Sequence, residues 1–250
     1  MAAQEMAPRT APARRDGILN GERVTRLLLA GGLVGPLLFI VVLLIEGATR
    51  PGYSAWRHFG SQLSLGDQGW EQIANFLICG ALCVGLALGL RRALHRGRGA
   101  TWGPILLGVF GLSLISAGIF VTGPALGYPP GAGIRSGPET LHSMIHGLSG
   151  LVAFTTLAAA CFVLARRFVG DAQWRGWALY SSLTGAVVLI SLIASNVTAT
   201  LDMIGTWPNA PTGLVQRIGI IAGWTWIALL AARLLRNRRS WSGAAPGTVG

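Results

Sequence analysis

Residues 27–45 read LLLAGGLVGPLLFIVVLLI, an apolar stretch without a single charged side chain. The hydrocarbon core of a bilayer requires roughly 20 mostly apolar residues in one helix, so this stretch predicts a membrane-spanning helix. Five further stretches are predominantly apolar over a similar length. The six predicted spans are residues 27–45, 71–90, 102–122, 143–165, 177–199 and 214–235. We therefore predict an all-α, polytopic membrane bundle of six transmembrane helices.

The composition agrees with this prediction and excludes a soluble domain of the same length. The chain has 250 residues, of which 52% are hydrophobic and only 12% are charged. Its mean hydropathy is +0.55, whereas a soluble domain needs more charge to cover its surface. We predict one six-helix transmembrane domain over residues 25–236, between disordered cytoplasmic tails at residues 1–24 and 237–250.

The placement of arginine predicts the orientation of the bundle. All 20 basic residues are arginines, and 16 of them lie in the segments 9–26, 91–98, 166–175 and 233–239, which all fall on the same side of the predicted bundle. The arginine-rich side usually faces the cytoplasm, so we predict that both termini are cytoplasmic and that the chain lies in the cell membrane. The net charge of +11 does not indicate a nucleic-acid partner, because the arginines are scattered between apolar runs.

Polar and ionisable residues gather at the opposite, predicted outward end of the bundle. Ionisable groups at membrane depth are costly and usually face the bundle interior or water, so this cluster predicts a functional site. Its members are Glu46, Arg57, His58, Ser61, Ser64, Asp67, Glu139, His142, His146, Asn196, Asp202 and Arg217. A guanidinium among apolar neighbours needs a partner, and the sequence does not choose among three candidate acids for Arg217. The candidates are Asp202, Glu46 and Glu139.

The segment GPETLHSMIHG, residues 137–147, places two histidines four positions apart, in a helix predicted to begin at Pro138. Residues at this spacing share a helix face, so His142 and His146 could bind zinc together with a third ligand such as Asp202. The alternative, which we favour, is that the imidazoles form hydrogen bonds with neighbouring helices. No other cofactor is predicted.

The first outward loop also has two interpretations. Its sequence, SAWRHFGSQLSLGDQGWEQIANF at residues 54–76, is unusually rich in aromatic and polar side chains for a connection. It could form a lid over an outward cavity, or it could pack as a re-entry into the membrane. We favour the packed re-entry.

Small residues four positions apart predict close helix contacts. Gly31 with Gly35, and Gly219 with Gly223, are two such pairs. Such pairs allow the backbones of two helices to approach each other closely. The close contact gains dispersion energy that contact with lipid does not supply. We expect them to serve packing within the bundle, and they could also pair two copies of the chain or bind a membrane partner.

Three of these segments together resemble a known family. They are SQLSLGDQGW at residues 61–70, HSMIHG at residues 142–147 and GLVQRIGI at residues 213–220. The chain is similar, over roughly residues 25–236, to the prokaryotic six-helix membrane proteins catalogued as domain of unknown function 998. The resemblance implies the six-helix fold and brings no activity, substrate or cofactor.

Three functions fit these features. We expect first a non-enzymatic bundle that binds or moves a membrane lipid or small molecule through its polar outward site. The alternative is a zinc-dependent membrane hydrolase, in which the pair His142 and His146 would help to lower the pKa of a bound water toward ~7. The third is a structural membrane subunit that pairs through its small-residue faces.

Overall fold

Six long helices form the protein, as the hydropathy pattern predicts. The computed structural model describes residues 11–94, 97–134, 140–170 and 172–236, with side chains from residue 20 onward. The helices are α1 (Ala11–Thr49), α2 (Gly69–Ala93), α3 (Trp102–Ile119), α4 (Leu141–Phe168), α5 (Arg175–Met203) and α6 (Thr212–Arg236). All six are long and apolar enough to cross a membrane, and the described ranges contain no β-strand. The chain is a multi-pass, all-α membrane protein.

The first helix begins earlier than its predicted span. It starts at Ala11, so residues 11–24, which we expected in a disordered tail, are helical and continue into the first span. The remainder of that tail, residues 1–10, and the predicted tail at residues 237–250 lie outside the described part of the chain.

The fourth helix begins later than predicted, because a cap fixes its first turn. It starts at Leu141, and the expected start, Pro138, lies outside the described residues. Thr140 Oγ1 accepts a hydrogen bond from Ser143 N at 3.1 Å, and Thr140 N donates to Ser143 Oγ at 3.0 Å. This reciprocal pair satisfies two donors at the helix start.

The helices pack in chain order as a ring, which contact between α1 and α6 closes. Trp224 of α6 fills the middle of the ring. Its ring centroid lies 5.3 Å from Phe39, 4.9 Å from Phe110 and 6.1 Å from Phe154, on three other helices. Each aromatic pair of this kind adds about 0.5–1.5 kcal/mol beyond the burial of its area. Side chains therefore occupy the centre of the bundle.

Small residues bring the helices together, as predicted. A Cβ atom added to Gly31 would lie 3.2 Å from the Leu82 side chain, and one added to Gly35 would lie 2.9 Å from it. At Gly219 an added Cβ would lie 2.5 Å from Ser191 Oγ. Both small-residue faces are thus used inside the bundle, where α1 meets α2 and α6 meets α5.

The connections sort to two ends of the bundle. One end carries residues 50–68, 120–134 and 204–211, and we call it the loop end. We call the opposite end the arginine end. At the loop end, the 3₁₀ helix Gly60–Ser64 is largely buried, and Leu63 is fully buried. The first loop is therefore packed against the helices, and Gly60 and Ser61 cover the space between the helices beneath it.

Candidate functional site

The structure separates the predicted polar cluster into parts with different surroundings. Glu139 lies outside the described residues. Asp67 is exposed in the loop before α2, and Ser64 is buried with its Oγ donating to Ser61 O at 2.7 Å. The other members fall into a charged network under the loops, a histidine pair on α4, and an uncharged groove beside them.

The charged network consists of Arg50, Arg57 and Arg217 with the groups that hold them. Its strongest contact joins the first loop to the end of α5. Arg57 Nε and Nη2 donate to Asp202 Oδ2 and Oδ1 at 2.6 and 2.8 Å. Only 1% of the Asp202 side chain is exposed, and Asp202 Oδ1 also accepts a hydrogen bond from Asn209 N at 3.2 Å. Because two parallel charge-assisted bonds are strong and directional, Asp202 is not available as a zinc ligand while this pair is intact.

Arg217 is buried beneath the first loop, and within the described residues only neutral groups hold it. Its Nη1 donates to three carbonyl oxygens, those of Ala55, His58 and Gly213, at 2.9, 3.1 and 3.0 Å. Its Nη2 donates to Tyr53 Oη. One guanidinium thus fixes the path of the first loop against α6.

The acids proposed as partners of Arg217 are engaged elsewhere or lie outside the described chain. Asp202 is in the ion pair above. Glu46 accepts from Arg50 Nη2 at 3.2 Å, and Glu71 contacts the same nitrogen at 3.5 Å. Sequence reasoning did not select Arg50, although its position four residues after Glu46 is the spacing at which helical side chains meet.

His58 and Tyr53 hold the loops as neutral groups. His58 Nδ1 accepts a hydrogen bond from Ser54 N at 2.9 Å, and its Nε2 donates to Leu126 O at 3.1 Å. Burial lowers the pKa of His58 below its ordinary value, because desolvation disfavours the imidazolium. Burial likewise raises the pKa of Tyr53. Both ring nitrogens of His58 are used, so this histidine is a structural element of the loop end.

His142 and His146 have different environments. His146 is buried, and its Nδ1 donates to the carbonyl oxygens of Ala117 and Phe120 at 3.0 and 2.8 Å. His142 is exposed, and its ring centroid lies 5.4 Å from that of Phe120. His146 therefore forms hydrogen bonds with a neighbouring helix and its C-terminal cap, of the kind we favoured for this pair. Among the described residues, no three His, Cys, Asp or Glu side chains are placed to hold one metal ion.

A groove of ≈ 670 Å³ lies between α4 and α5 at the loop end. Toward the arginine end these helices touch, since a Cβ added to Gly185 would lie 3.0 Å from the Phe162 ring. Toward the loop end they are separated by the groove. Leu151, Ile193 and Val197 line it and are exposed on the outside of the bundle. This outer surface contacts lipid in a bilayer, so the groove opens sideways into the membrane.

The inner wall of the groove is polar but uncharged. Its polar residues are Ser61, Thr122, His146, Ser195 and Gln216, and the exposed Asn196 also lines the groove. No charged side chain lines it in the described part of the chain. Gly147 and Gly150 leave open space along α4, because a Cβ added to either would meet no atom within 4 Å.

A smaller cavity of ≈ 60 Å³ lies deeper in the bundle, beside the groove. The residues that line both spaces are Ser61, His146, Gly150, Phe154 and Gln216. Trp224 also lines the cavity, which places it against the aromatic centre of the ring. Gln72 of α2 lines it too, and its Nε2 is buried without a hydrogen-bond partner among the described residues. We call this space the inner cavity.

A family model described as "Protein of unknown function (DUF998)" matches residues 33–233. The chain belongs to this family. The match includes every residue that lines the groove and the inner cavity, and it confirms the resemblance inferred from the three sequence segments. Neither a curated protein nor a solved structure matches the chain. The function of this DUF998 bundle is therefore inferred from the geometry of its site.

Several residues that line the groove or the inner cavity were not selected from the sequence. They are Gln72, Thr122, Gly147 and Gly150. Selection by charge favoured the arginines and acids, which the structure places in the charged network. A usable signal did exist in α2, where the amides of Gln72 and Asn75 occur within an apolar span and must find partners.

Proposed function

We propose that the protein binds a single-chain amphiphile, a lipid or lipid-like molecule, in the groove between α4 and α5. One observation carries this proposal: the groove opens between lipid-facing apolar side chains and ends at an uncharged polar wall. Its volume of ≈ 670 Å³ lies within the ~300–1,000 Å³ of typical ligand sites. This size suits one acyl chain with a small polar group better than a two-chain phospholipid.

The position of the aromatic core supports binding in preference to conduction through the ring. A polar group that enters the groove reaches the inner cavity and there meets Trp224, which packs against three other aromatic rings. The chain of the same molecule would lie between Leu151 and Ile193, in contact with the membrane. In this arrangement Arg57 and Arg217 hold the loops above the site and do not contact the ligand.

We also propose that the groove opens in the outer leaflet of the cell membrane, with both termini cytoplasmic. The distribution of arginine supports this orientation, because 16 of the 20 lie in the segments 9–26, 91–98, 166–175 and 233–239, which alternate along the sequence with the connections of the loop end. A reporter enzyme that is active only in the cytoplasm, fused after residue 250, should be active. A reporter that is active only outside the cytoplasm should be silent, and the reverse pattern would contradict the orientation.

The binding proposal can be tested by photolabelling in nanodiscs. A monoacyl lipid with a diazirine on its chain should label peptides of α4 and α5 saturably, whereas lipid that merely surrounds the bundle would label every exposed helix. Gly150→Leu should fill the groove without a clash, since an added Cβ meets no atom within 4 Å. We expect it to weaken saturable labelling about tenfold, which corresponds to ~1.4 kcal/mol.

Gly176→Leu is the matched control. Gly176 is also a helical glycine with no atom within 4 Å of an added Cβ, but it is exposed and lies at the arginine end of α5, away from the groove. It should label like the wild type. Equal labelling of the wild type and Gly150→Leu, or labelling spread evenly over all six helices, would contradict the proposal.

The alternatives have less support from the described contacts. A zinc hydrolase needs a third ligand near His142 and His146, and Asp202 is held by Arg57. A subunit that pairs through its small-residue faces would use glycines that already pack within the bundle, such as Gly35 and Gly219.

A further inference from the structure

The inner cavity contains a hydrogen-bond donor without a partner. Gln72 is fully buried, and its Oε1 accepts a hydrogen bond from Asn75 Nδ2 at 3.1 Å. Its Nε2 has no partner among the described residues, although the side chain lines the cavity. Buried amide nitrogens in folded proteins are nearly always paired, so this donor indicates a ligand atom that accepts a hydrogen bond.

The same cavity contains a hydrogen-bond acceptor. His146 Nδ1 faces two carbonyl oxygens, Ala117 O and Phe120 O, and must carry a hydrogen to bond with them. In the neutral imidazole the other nitrogen, Nε2, then has a lone pair. No hydrogen bond of His146 Nε2 is found in the described part of the chain, and the side chain lines both the groove and the inner cavity. The position of the Nδ1 hydrogen therefore makes Nε2 the acceptor.

A hydroxyl group complements this arrangement, because its oxygen accepts one hydrogen bond while its hydrogen donates another. We propose that the inner cavity binds the hydroxyl group of a neutral single-chain amphiphile, with Gln72 Nε2 donating to the hydroxyl oxygen and His146 Nε2 accepting its hydrogen. This inference rests on the proposed function and names the head group of its ligand. The volume of ≈ 60 Å³ is sufficient, since a water needs roughly 10–15 Å³.

The charges nearby favour a neutral head group over an anionic one. No charged residue lines the groove or the inner cavity in the described ranges. At the same end of the bundle, Arg57 and Arg217 already make six hydrogen bonds between them, with Asp202, Tyr53 and backbone carbonyls. A phosphate or carboxylate would thus enter a low-dielectric space without a free cation, which is costly.

The test uses four oleyl-chain competitors against the diazirine probe on the full-length protein in nanodiscs. Oleyl alcohol and monoolein are neutral and carry a hydroxyl, methyl oleate is neutral and carries only acceptors, and oleoyl lysophosphatidic acid combines a hydroxyl with an anionic phosphate. We expect the two hydroxyl compounds to compete about tenfold more tightly than methyl oleate, as one additional buried hydrogen bond would give. Oleoyl lysophosphatidic acid should be the weakest competitor.

Two substitutions test whether the preference for a hydroxyl head group arises in the inner cavity. His146→Asn retains a nitrogen donor for Ala117 O and Phe120 O and removes the Nε2 acceptor, while Gln72→Met removes the donor at similar volume. Each should reduce the preference for oleyl alcohol over methyl oleate toward unity. Thermal unfolding identifies a variant that fails to fold, and the wild-type competitor series decides the question without either variant.

The outcomes separate this inference from the binding proposal. If all four competitors act equally and Gly150→Leu still weakens saturable labelling, the groove binds amphiphiles and the hydroxyl inference is overturned. The same conclusion follows if the anionic competitor is the strongest, or if both variants keep the wild-type preference. If no competitor displaces the probe, the binding proposal itself fails.

Discussion

The charged network and the groove lie at the same end of the bundle, yet their polar groups have opposite surroundings. In the network, Arg57 and Arg217 are held by an acid, a phenol and loop carbonyls. In the groove and the inner cavity, uncharged groups such as Gln72 Nε2 face space that no described atom fills. The difference indicates that the ionisable residues build the frame of this end, and that neutral polar residues form the binding site.

The largest effect is expected from Arg217→Met, which tests the structural role of the network. The substitution removes a buried guanidinium and leaves the carbonyls of Ala55, His58 and Gly213 without their donor. We expect a loss of about 3–5 kcal/mol in the free energy of unfolding, since several buried acceptors are left unsatisfied. Chemical unfolding in detergent micelles measures it.

The structural role of Arg217 would be contradicted if Arg217→Met lowered the free energy of unfolding by less than about 1 kcal/mol and also removed probe labelling. Arg217 would then belong to the binding site and not to the frame. Arg236→Met, at the last residue of α6 and exposed at the arginine end, is the control for removal of an arginine from the same helix.

A smaller effect is expected from breaking the ion pair between Arg57 and Asp202. Asp202→Asn should cost about 2–4 kcal/mol, because it leaves the partly buried guanidinium without its counter-charge. The double-mutant cycle with Arg57→Gln should give a coupling of about 1–3 kcal/mol. A coupling near zero would show that the two loops are held together by their other contacts, such as the hydrogen bond from Trp56 Nε1 to Asn209 O at 3.0 Å.

The pH dependence of the free energy of unfolding should include a contribution from the buried imidazole of His58. Its pKa in the folded protein lies below the ordinary value of 6.5, mainly through desolvation. Above pH 6.5 the histidine is neutral in both states, so its contribution is fully present. As the pH falls below 6.5, the unfolded chain takes up a proton that the folded protein does not, and stability falls until the folded pKa is reached.

Unfolding at pH values from 8 down to about 5 measures this slope in the wild type and in His58→Gln, which should have a flatter profile. The exposed His142→Gln is the control for removal of an imidazole from the loop end. Identical profiles for the wild type and His58→Gln would contradict the assignment of His58 to the buried frame.

The spans could be predicted because apolar length is a property of consecutive residues, and all six predicted segments overlap the observed helices. The partners of Arg217 could not be predicted, because three of its acceptors are backbone carbonyls. Every residue carries a carbonyl, and only the fold selects these three. Gly150 posed the same difficulty. In sequence it resembles Gly35, although one faces open space and the other a leucine.

Substitution of these two glycines by alanine gives the smallest expected effect. The change in stability alone should distinguish a glycine that lines the groove from one that packs between helices. Gly150→Ala meets no atom within 4 Å, so the only changes are those of backbone freedom and helix propensity, and we expect about 0.5–1 kcal/mol of stabilisation. At Gly35 the same methyl would lie 2.9 Å from the Leu82 side chain, so α1 and α2 must move apart and stability should fall by about 1–3 kcal/mol. Differential scanning calorimetry of both variants in the same detergent shows whether Gly150→Ala is stabilising and Gly35→Ala destabilising. Destabilisation by Gly150→Ala would mean that an unseen group packs against this part of α4, and labelling by the diazirine probe would then show whether the groove remains open to a ligand.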